Sequence, residues 1–232
     1  EDKLFDRKVI LDGIPGAAFH DGGRIVFGPD GNLYITTGDA GKPNLAQDIN
    51  SLAGKILRIS DEGKIPQDNP FSNAVYSFGH RNSQGLAWDD KGRLWATEHG
   101  SSALDELNFI EKGANYGWPV IRGNEERAGM KTPKVNSDPK ETWAPAGAVY
   151  FKKRIFFTGL RGESLYEAKI SDGGGVEYVK AHLRGTFGRL RAIALGSDGK
   201  FYLSTSNTDG RGTQRTGDDK IIKINPEVFF SN

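Results

Sequence analysis

The sequence lacks cysteine altogether and contains a single methionine among its 232 residues. Without cysteine the chain can form no disulfide bond, no thiolate-bound metal site and no cysteine nucleophile. It also lacks an excess of charge of either sign, because 31 Lys and Arg residues balance 30 Asp and Glu residues. The net charge of +1 excludes the strongly basic surface with which proteins attract nucleic acids or anionic membranes.

Long hydrophobic runs are absent too. No apolar stretch approaches the roughly 18 residues of a transmembrane helix, and the longest, Gly147–Phe151 and Ile155–Phe157, are the length of strands. Residues 1–5 (EDKLF) do not have the form of a signal peptide, so either the protein is cytoplasmic or an upstream segment has been removed. The motifs of nucleotide-binding loops and of serine and zinc hydrolases are also missing, which argues against those cofactors and reactions.

Glycine, by contrast, is abundant, and the chain has 31 Gly and 10 Pro residues. These residues do not follow the strict third-residue period of collagen, so they indicate many turns. Aromatic residues make up 10% of the chain, a fraction too high for a disordered protein. The composition therefore predicts a folded domain with short elements.

The most informative feature is an internal repeat of a strand, a turn and a second strand. The three copies are residues 24–39 (RIVFGPDGNLYITTGD), 85–100 (GLAWDDKGRLWATEHG) and 192–207 (AIALGSDGKFYLSTSN). Each turn closes on a glycine at the same place, where a left-handed backbone conformation suits that residue. These equivalent glycines are Gly31, Gly92 and Gly199.

A fourth, more divergent unit lies at residues 146–170, with Lys152 and Lys153 at its turn. Four hairpin units of about 50 residues indicate the blades of a β-propeller, so we predict an all-β fold of four-stranded blades. Further strands are expected to follow the hairpins, and residues 45–52 are compatible with one short helix in a loop. The predicted further strands are residues 54–60, 164–170 and 220–224.

Several long motifs resemble those of the soluble PQQ-dependent sugar dehydrogenases, most closely the aldose sugar dehydrogenases grouped with glucose and sorbosone dehydrogenases. The resemblance runs from about Asp6 to Ile224. Its motifs are residues 19–31 (FHDGGRIVFGPDG), 76–88 (YSFGHRNSQGLAW), 97–119 (TEHGSSALDELNFIEKGANYGWP), 187–199 (FGRLRAIALGSDG) and 206–224 (SNTDGRGTQRTGDDKIIKI).

The resemblance implies a six-bladed propeller of which this chain supplies about the last four blades. Residues 1–232 are then one propeller domain that lacks its N-terminal part. Residues 6–11 (DRKVIL) are expected to form the last strand of a preceding blade. Because exposed blade edges favour pairing with another chain, the missing portion or a second copy is expected to pair with them.

The resemblance assigns general base catalysis to His20, since neutral imidazole can take the proton of a sugar hydroxyl near pH 7. Phe19 stands where the glucose dehydrogenase branch has Asp, so a carboxylate that orients the base must come from elsewhere or is absent. Arg81 is implied to stabilise charge on the quinone, and Asn82 to hold the cofactor. His80 is expected to support their loop.

A calcium site is implied for the segment around the adjacent carboxylates of Asp105 and Glu106. Carboxylates with nearby backbone carbonyls provide the oxygen ligands that calcium prefers. The implied ligands are the carbonyls of Gly100, Ser101 and Tyr116 and the side chains of Asp105 and Glu106. Paired acidic residues alone would more often form a solvated turn.

Arg189 and Arg191 are two positions apart at the start of a strand and should face the same side of the sheet. Two cations on one face need an anionic partner, and the resemblance matches this pair to the carboxylates of PQQ. Arg161 is a further candidate for PQQ binding. The glucose dehydrogenase branch has a PQQ-binding Lys at the position that is Leu160 in this sequence, and Arg161 is its neighbour.

The sequence therefore predicts a PQQ- and calcium-dependent enzyme that oxidises aldose sugars at C1 to lactones, with an external electron acceptor. Relatives of this kind work in the periplasm or outside the cell, so that location is expected. The alternative is a propeller that binds a ligand without catalysis, because one fold hosts many functions. A binding module would not need His20, Arg81, Arg189 and Arg191 together.

Overall fold

The computed structural model describes residues 7–230, and every structural statement below concerns these residues. The chain forms fifteen strands in four antiparallel sheets, and within each sheet the strands are neighbours in chain order. The predicted all-β propeller fold is confirmed, with four blades in this chain. No helix in the described residues is both long and apolar enough to cross a membrane.

The blades follow one another along the chain, each beginning with its innermost strand. The first blade contains β1 (Ile25–Phe27), β2 (Leu33–Thr37), β3 (Lys55–Ile59) and β4 (Val75–Phe78). The second contains β5 (Ser83–Trp88), β6 (Leu94–Glu98), β7 (Glu106–Ile110) and β8 (Val135–Asn136). The third contains β9 (Pro145–Phe151), β10 (Arg154–Gly159), β11 (Ser164–Ile170) and β12 (Val176–His182). The fourth contains β13 (Leu190–Leu195), β14 (Phe201–Thr205) and β15 (Ile221–Ile224).

Three expectations are wrong in part. The fourth blade has three strands in the described residues, so four-stranded blades hold for the first three only. Asp6 lies outside the described residues, and residues 7–11 form no strand, because Ile10 and Leu11 instead pack onto the apolar face of the first blade. The helix expected at residues 45–52 is a 3-10 helix at Pro43–Gln47, which begins at a proline and ends before Asp48; a second 3-10 helix spans Pro226–Phe229.

Three of the four hydrophobic clusters lie between neighbouring blades, and the fourth lies on the outer face of the first blade. Val26 and Tyr34 of the first blade pack with Leu86 and Leu94 of the second, and Trp95 of the second packs near Phe157 of the third. A third cluster joins the third and fourth blades around aromatic residues such as Phe156 and Phe201. Burial of these faces excludes water from each interface and holds neighbouring blades together.

Successive strands alternate in direction, and this alternation sorts the loops into two ends. The hairpin turns that close on Gly31, Gly92 and Gly199 lie at one end of the blades. The β2–β3, β4–β5 and β6–β7 loops emerge at the other end, as do the segments that precede β1 and β13. The candidate functional residues of four of the long motifs therefore converge at that second end.

Candidate functional site

A groove of about 640 Å³ opens at this second end, and residues from all four blades line it. His20 and Gly22 approach from the segment before β1, and Arg81 and Asn82 from the loop before β5. Leu160, Arg189, Arg191, Asp209 and Arg211 complete the wall on the side of the third and fourth blades. The structure thus brings His20 together with four of the five residues predicted to bind the cofactor, namely Arg81, Asn82, Arg189 and Arg191.

Arg161 is the residue that the groove does not include. Its side chain is exposed at the turn after β10. Among the described residues, its neighbour Leu160 lines the groove instead. Leu160 is buried, so the turn directs an apolar side chain inward at this position. The geometry gives no support to Arg161 as a cofactor ligand in this arrangement.

His20 is oriented by Asp39, which lies just after β2. The imidazole Nδ1 is 2.8 Å from Asp39 Oδ1, and the side chain of Asp39 is only 1% exposed. Asp39 also accepts hydrogen bonds from the backbone N–H of Gly41 at 2.9 Å and from Nε1 of Trp118 at 2.8 Å. A carboxylate fixed by several donors holds the imidazole in one orientation and selects the tautomer with a proton on Nδ1.

This pairing leaves Nε2 of His20 without a hydrogen-bond partner in the part of the chain that the structure describes, and His20 lines the groove. The backbone supports the same placement, since a methyl group on Gly38 would overlap the carbonyl of His20. Sequence analysis missed Asp39 as the orienting carboxylate. The available signal was an acidic residue directly after the fully buried strand β2, on the same loop end as His20.

Arg81 is held between the groove and a second, smaller cavity. One terminal nitrogen donates to the carbonyl of Gly100 at 2.6 Å, and the guanidinium lies 5.2 Å from the ring centre of Trp118. Its Nε is buried and has no hydrogen-bond partner in the described residues. Burial lowers the pKa of Arg81, although Asp39 and Glu98 oppose that change. A buried donor without a partner is costly, so this atom indicates a place for an acceptor from a ligand.

The loop that carries Arg81 and Asn82 is fixed by Glu98 at the end of β6. Its carboxylate accepts hydrogen bonds from Nδ1 of His80 at 2.8 Å, from Oγ of Ser83 at 3.1 Å and from the backbone N–H of Arg81. Burial opposes the charged form, but His80 and the hydrogen-bond donors hold the pKa of Glu98 below its usual range. The expectation that His80 supports the loop therefore agrees with its contacts. Asn82 joins the loop to the His20 segment, because its Oδ1 accepts from Gly22 N–H at 3.0 Å.

The arginine pair of the fourth blade meets a shared carboxylate that sequence analysis did not identify. Asp209 Oδ2 accepts from Arg189 at 2.9 and 3.1 Å and from Arg191 at 3.3 Å. Although burial opposes the charged form, hydrogen bonds from Arg211 N–H and Arg189 bring the pKa of Asp209 to about 2. Arg81 and Arg211 also line the groove, so its four arginines outnumber the two carboxylates on the wall, Asp21 and Asp209, which leaves excess positive charge for an anionic ligand.

Four of the five predicted calcium ligands line a cavity of about 20 Å³ beside the groove, namely Gly100, Ser101, Glu106 and Tyr116. This volume is that of about one water molecule or ion. Burial, and secondarily Glu98, raises the pKa of Glu106 to about 8. Among residues 7–230 no group of three or more His, Cys, Asp or Glu residues could hold a metal, so carbonyl oxygens would have to supply most ligands.

Asp105, the fifth predicted ligand, has other partners and does not line this cavity in the described structure. Its carboxylate accepts hydrogen bonds from Gly100 N–H at 2.9 Å and from the backbone N–H groups of Trp143 and Ala144 at 2.7 and 2.9 Å. It also accepts from the hydroxyl of Thr142 at 2.9 Å. The side chain therefore ties the third blade to the loop after β6, a role that the spacing of the acidic pair could not reveal.

His99 is a further residue that sequence analysis missed, and it lines both the groove and the small cavity. Its Nε2 lies 2.8 Å from the carbonyl of Pro145, which fixes a proton on that nitrogen. Burial lowers the pKa of His99 to about 4, so the ring is neutral near pH 7. Its position after β6 in the repeat, between the predicted ligand Gly100 and buried Glu98, was the available signal.

Comparison with known proteins identifies relatives of the chain. The chain is 30% identical over 233 residues to the aldose sugar dehydrogenase YliI of Escherichia coli, a match that covers 89% of this chain and 60% of that protein. The PQQ-bound aldose sugar dehydrogenase of Streptomyces coelicolor superposes with a TM-score of 0.87 at 46% identity, over 91% of this chain and 63% of that one. An oxidoreductase of Thermus thermophilus described as a glucose dehydrogenase gives a TM-score of 0.89 at 42% identity, over 94% of this chain and 70% of that one.

The chain thus spans about 60% of the length of the curated relatives that it matches over most of its own length. The model of the family described as glucose/sorbosone dehydrogenase matches residues 1–215, nearly the whole sequence. The matched range includes the residues that line the groove and the small cavity. On this evidence the chain belongs to the glucose/sorbosone dehydrogenase family.

Proposed function

We propose that this chain carries the catalytic groove of a PQQ-dependent dehydrogenase that oxidises aldose sugars at C1 to lactones. The observation that supports this most is the pairing of His20 with buried Asp39 on the wall of a groove that also holds Arg81, Arg189 and Arg191. The pair provides an oriented base, and the arginines provide cationic binding. A propeller that only binds a ligand would have no use for the oriented imidazole, which favours catalysis over the alternative.

The groove fits the cofactor on two counts. PQQ carries three carboxylates, and the wall offers four arginines against the two carboxylates of Asp21 and Asp209. Nε of Arg81 is buried without an acceptor in the described residues and needs one from a ligand. Arg81, Asn82, Arg189 and Arg191 would hold the group. When bound, PQQ supplies the quinone that takes up the hydride released from C1.

The protein's own part in the reaction is to move a proton and to stabilise charge. With Nδ1 bonded to Asp39, His20 can accept the proton of the C1 hydroxyl on Nε2 as the carbonyl of the lactone forms. Asp39 stabilises the imidazolium that results. Arg81 stays fixed by Gly100 and Trp118 and presents positive charge in a half-buried place, where electrostatic stabilisation is stronger than in water.

We also propose that calcium binds in the small cavity, through the carbonyl oxygens of Gly100, Ser101 and Tyr116 and the carboxylate of Glu106. Oxygen donors in a cavity of this size suit a hard cation. Asp105 is left out of this set because its carboxylate already accepts four hydrogen bonds. An external acceptor would reoxidise the cofactor, and a periplasmic or extracellular location would supply the calcium.

The test is dye reduction, in the presence of PQQ, calcium and an aldose, by a protein that joins this chain to the blades needed to complete the length of its relatives, because we expect little or no turnover from the 232 residues alone. We expect His20→Ala and Asp39→Asn each to lower turnover by about 10²–10⁴-fold, because both remove the oriented base. The affinity for PQQ, followed by equilibrium dialysis, should change far less. Asp61→Asn serves as the matched control, because Asp61 is exposed and is not among the residues that line the groove.

Unchanged turnover in both variants would move the base elsewhere, and a protein that binds PQQ but oxidises no aldose would favour the binding module. Calcium is tested separately by thermal unfolding. Binding to the folded state alone stabilises by about 2.7 kcal/mol at 100 times Kd, so millimolar calcium should raise Tm, and Glu106→Gln should abolish the rise. A Tm of the unmodified protein that calcium does not move would reject this site.

A further inference from the structure

Arg24 is a half-buried cation that neither the predicted site nor the proposed reaction uses. It directly precedes β1, the innermost strand of the first blade, and its side chain crosses to the second blade. There Nε donates to the backbone carbonyl of Gln84 at 3.1 Å. The guanidinium is therefore held across the inner strands by a bond to the backbone, while its terminal nitrogens remain available.

The third and fourth blades approach the same point. A methyl group on Gly147 in β9 would lie 3.2 Å from a terminal nitrogen of Arg24 and 2.9 Å from the backbone nitrogen of Ile193 in β13. Any side chain at Gly147 would crowd the guanidinium and the neighbouring strand. The glycine therefore leaves room for Arg24 at the place where the innermost strands of all four blades meet.

Arg191 lies at the same point and shares Gln84 with Arg24. Its guanidinium donates to the side-chain Oε1 of Gln84 at 3.2 Å, while Arg24 uses the backbone carbonyl of that residue. Burial lowers the pKa of Arg24, and the charge of Arg191 lowers it further. Two guanidinium groups are thus held by one residue, and the charge of Arg191 weakens the charged state of Arg24.

The charge of Arg24 has no counter-ion in the described protein. Asp209 pairs with Arg189 and Arg191, but in residues 7–230 no carboxylate lies within 4.0 Å of the Arg24 guanidinium. Removing charged groups from water without a partner is costly, and a guanidinium presents parallel N–H groups that match a carboxylate. The free nitrogens of Arg24, with Arg191 beside them, therefore have the chemistry of an anion site.

We propose that Arg24 and Arg191 bind one small anionic group where the inner strands meet, with Gln84 fixing both guanidiniums. The group is a carboxylate or an ion of similar size. It could be part of the ligand in the groove or a free anion, and the proposal stands on the two guanidiniums whichever source supplies it. Neither source requires the dehydrogenase reaction, so this site can fail or hold independently of the proposed function.

The first test is thermal unfolding in a low-salt zwitterionic buffer with increasing sodium formate. We expect formate to raise Tm of the unmodified protein saturably by about 2–4 °C, as a site that stabilises a domain of this size by about 1 kcal/mol would. Arg24→Gln should lose the saturable rise, and Arg24→Lys should weaken it because an ammonium lacks the planar pair of donors. Arg127→Gln, an exposed arginine on a loop, should keep it.

An equal response to formate in Arg24→Gln and the unmodified protein would overturn the proposal. The second test is anomalous diffraction from crystals grown in sodium bromide. A bromide peak within about 3.5 Å of both guanidiniums would support the site. The absence of such a peak at a high bromide concentration would reject it. If added PQQ displaces the peak, the ligand's carboxylate occupies the site; if the peak persists, the site holds a free anion.

Discussion

Lys55 shows how one buried residue fixes the loop that carries Asp39. Its side chain has no exposed surface, and Nζ donates to the backbone carbonyls of Leu45, Ala46 and Ala53 at 2.8, 3.1 and 2.6 Å. These three carbonyls belong to the β2–β3 loop, whose first residues hold Asp39 beside His20. The ammonium group thus supplies donors to carbonyl groups that no strand satisfies.

We predict that Lys55 makes stability depend on pH in the alkaline range. Burial lowers the pKa of Lys55 from 10.5 to about 8, although Asp48 opposes the change. Between these two values the unfolded chain binds more protons than the folded one, so the free energy of unfolding rises with pH and is unaffected below about pH 8. Compared with Lys55→Met, the unmodified protein should gain about 2 kcal/mol from pH 7.5 to 9.5.

Urea unfolding at the two pH values measures this double difference, in which other groups that titrate cancel. Lys42→Met, at an exposed position of the same loop, should track the unmodified protein. If Lys55→Met shows the same pH dependence as the unmodified protein, the lysine titrates normally and its burial costs little.

Single residues also mark the limit of what sequence reasoning gives for the site. Residue type and motif were enough to predict His20, Arg81, Asn82, Arg189 and Arg191, and all five line the groove. The carboxylates that orient these side chains could be identified only from the fold. Asp39 lies 19 residues from His20, and Asp209 lies 18 residues from Arg191. The hydrogen-bond partners of Asp105 were out of reach for the same reason, since residues 142–144 belong to another blade.

At the scale of elements, the three repeat hairpins depend on glycine at one position each. Gly31, Gly92 and Gly199 have φ values of +76°, +71° and +71°, and a methyl group at any of them would meet no atom of the described residues within 4 Å. Steric crowding therefore plays no part in their choice. The left-handed backbone alone selects glycine there, because an L side chain is strained in that region.

We predict that Gly92→Ala lowers the free energy of unfolding by about 1–2 kcal/mol, the cost of placing an alanine in the left-handed region. Gly173→Ala is the control, since the backbone there is not left-handed and the nearest atom is Ser171 Oγ at 4.0 Å. Chemical denaturation should show the control as unchanged or slightly more stable. Equal stability of Gly92→Ala and the unmodified protein would mean that the turn changes its conformation at no cost.

The same hairpins explain why the inner strands were predictable and the outer ones were not. A turn glycine between two alternating strands is a local signal, and β3, β11 and β15 followed from their apolar patterns. The edge strands β8 and β12 are short or largely exposed, so their sequences alternate weakly. The pairing of β8 and β12 depends on the strand beside each of them. Residues 7–11 form no strand because Ile10 and Leu11 pack onto the first blade, which their own sequence does not reveal.

At the scale of the whole molecule, the two outermost faces of the blade series are unlike. On the first blade Ile25 pairs with Ile35 and Phe27 with Leu33, and these β2 residues pair in turn with Leu57 and Ile59 of β3, which makes one face apolar throughout. Ile10 and Leu11 cover part of it, yet Ile25 and Phe27 remain 61% and 58% exposed. The outer face of the fourth blade mixes Tyr202, Ser204, Ile221 and Lys223.

We predict that Ile25 and Phe27 cause the 232-residue chain to associate, because exposed apolar patches of this kind favour burial against another surface. The double variant Ile25→Thr/Phe27→Thr should stay monodisperse in light scattering at concentrations where the unmodified chain aggregates. Ile65→Thr/Val228→Thr removes two other exposed apolar side chains and should leave association unchanged. Association that persists in the first variant would place the contact elsewhere, such as the mixed face of the fourth blade.

The placement of the core between blades has a consequence for how such a protein can evolve. Three of the four apolar clusters each belong to two neighbouring sheets, and the fourth covers the outer face of the first blade. Each junction between blades is therefore a separate unit of stability. Duplication or loss of the gene segment for one blade would create or remove one junction and leave the others unaltered. Selection could then change the number of blades without redesigning the packing between those that remain.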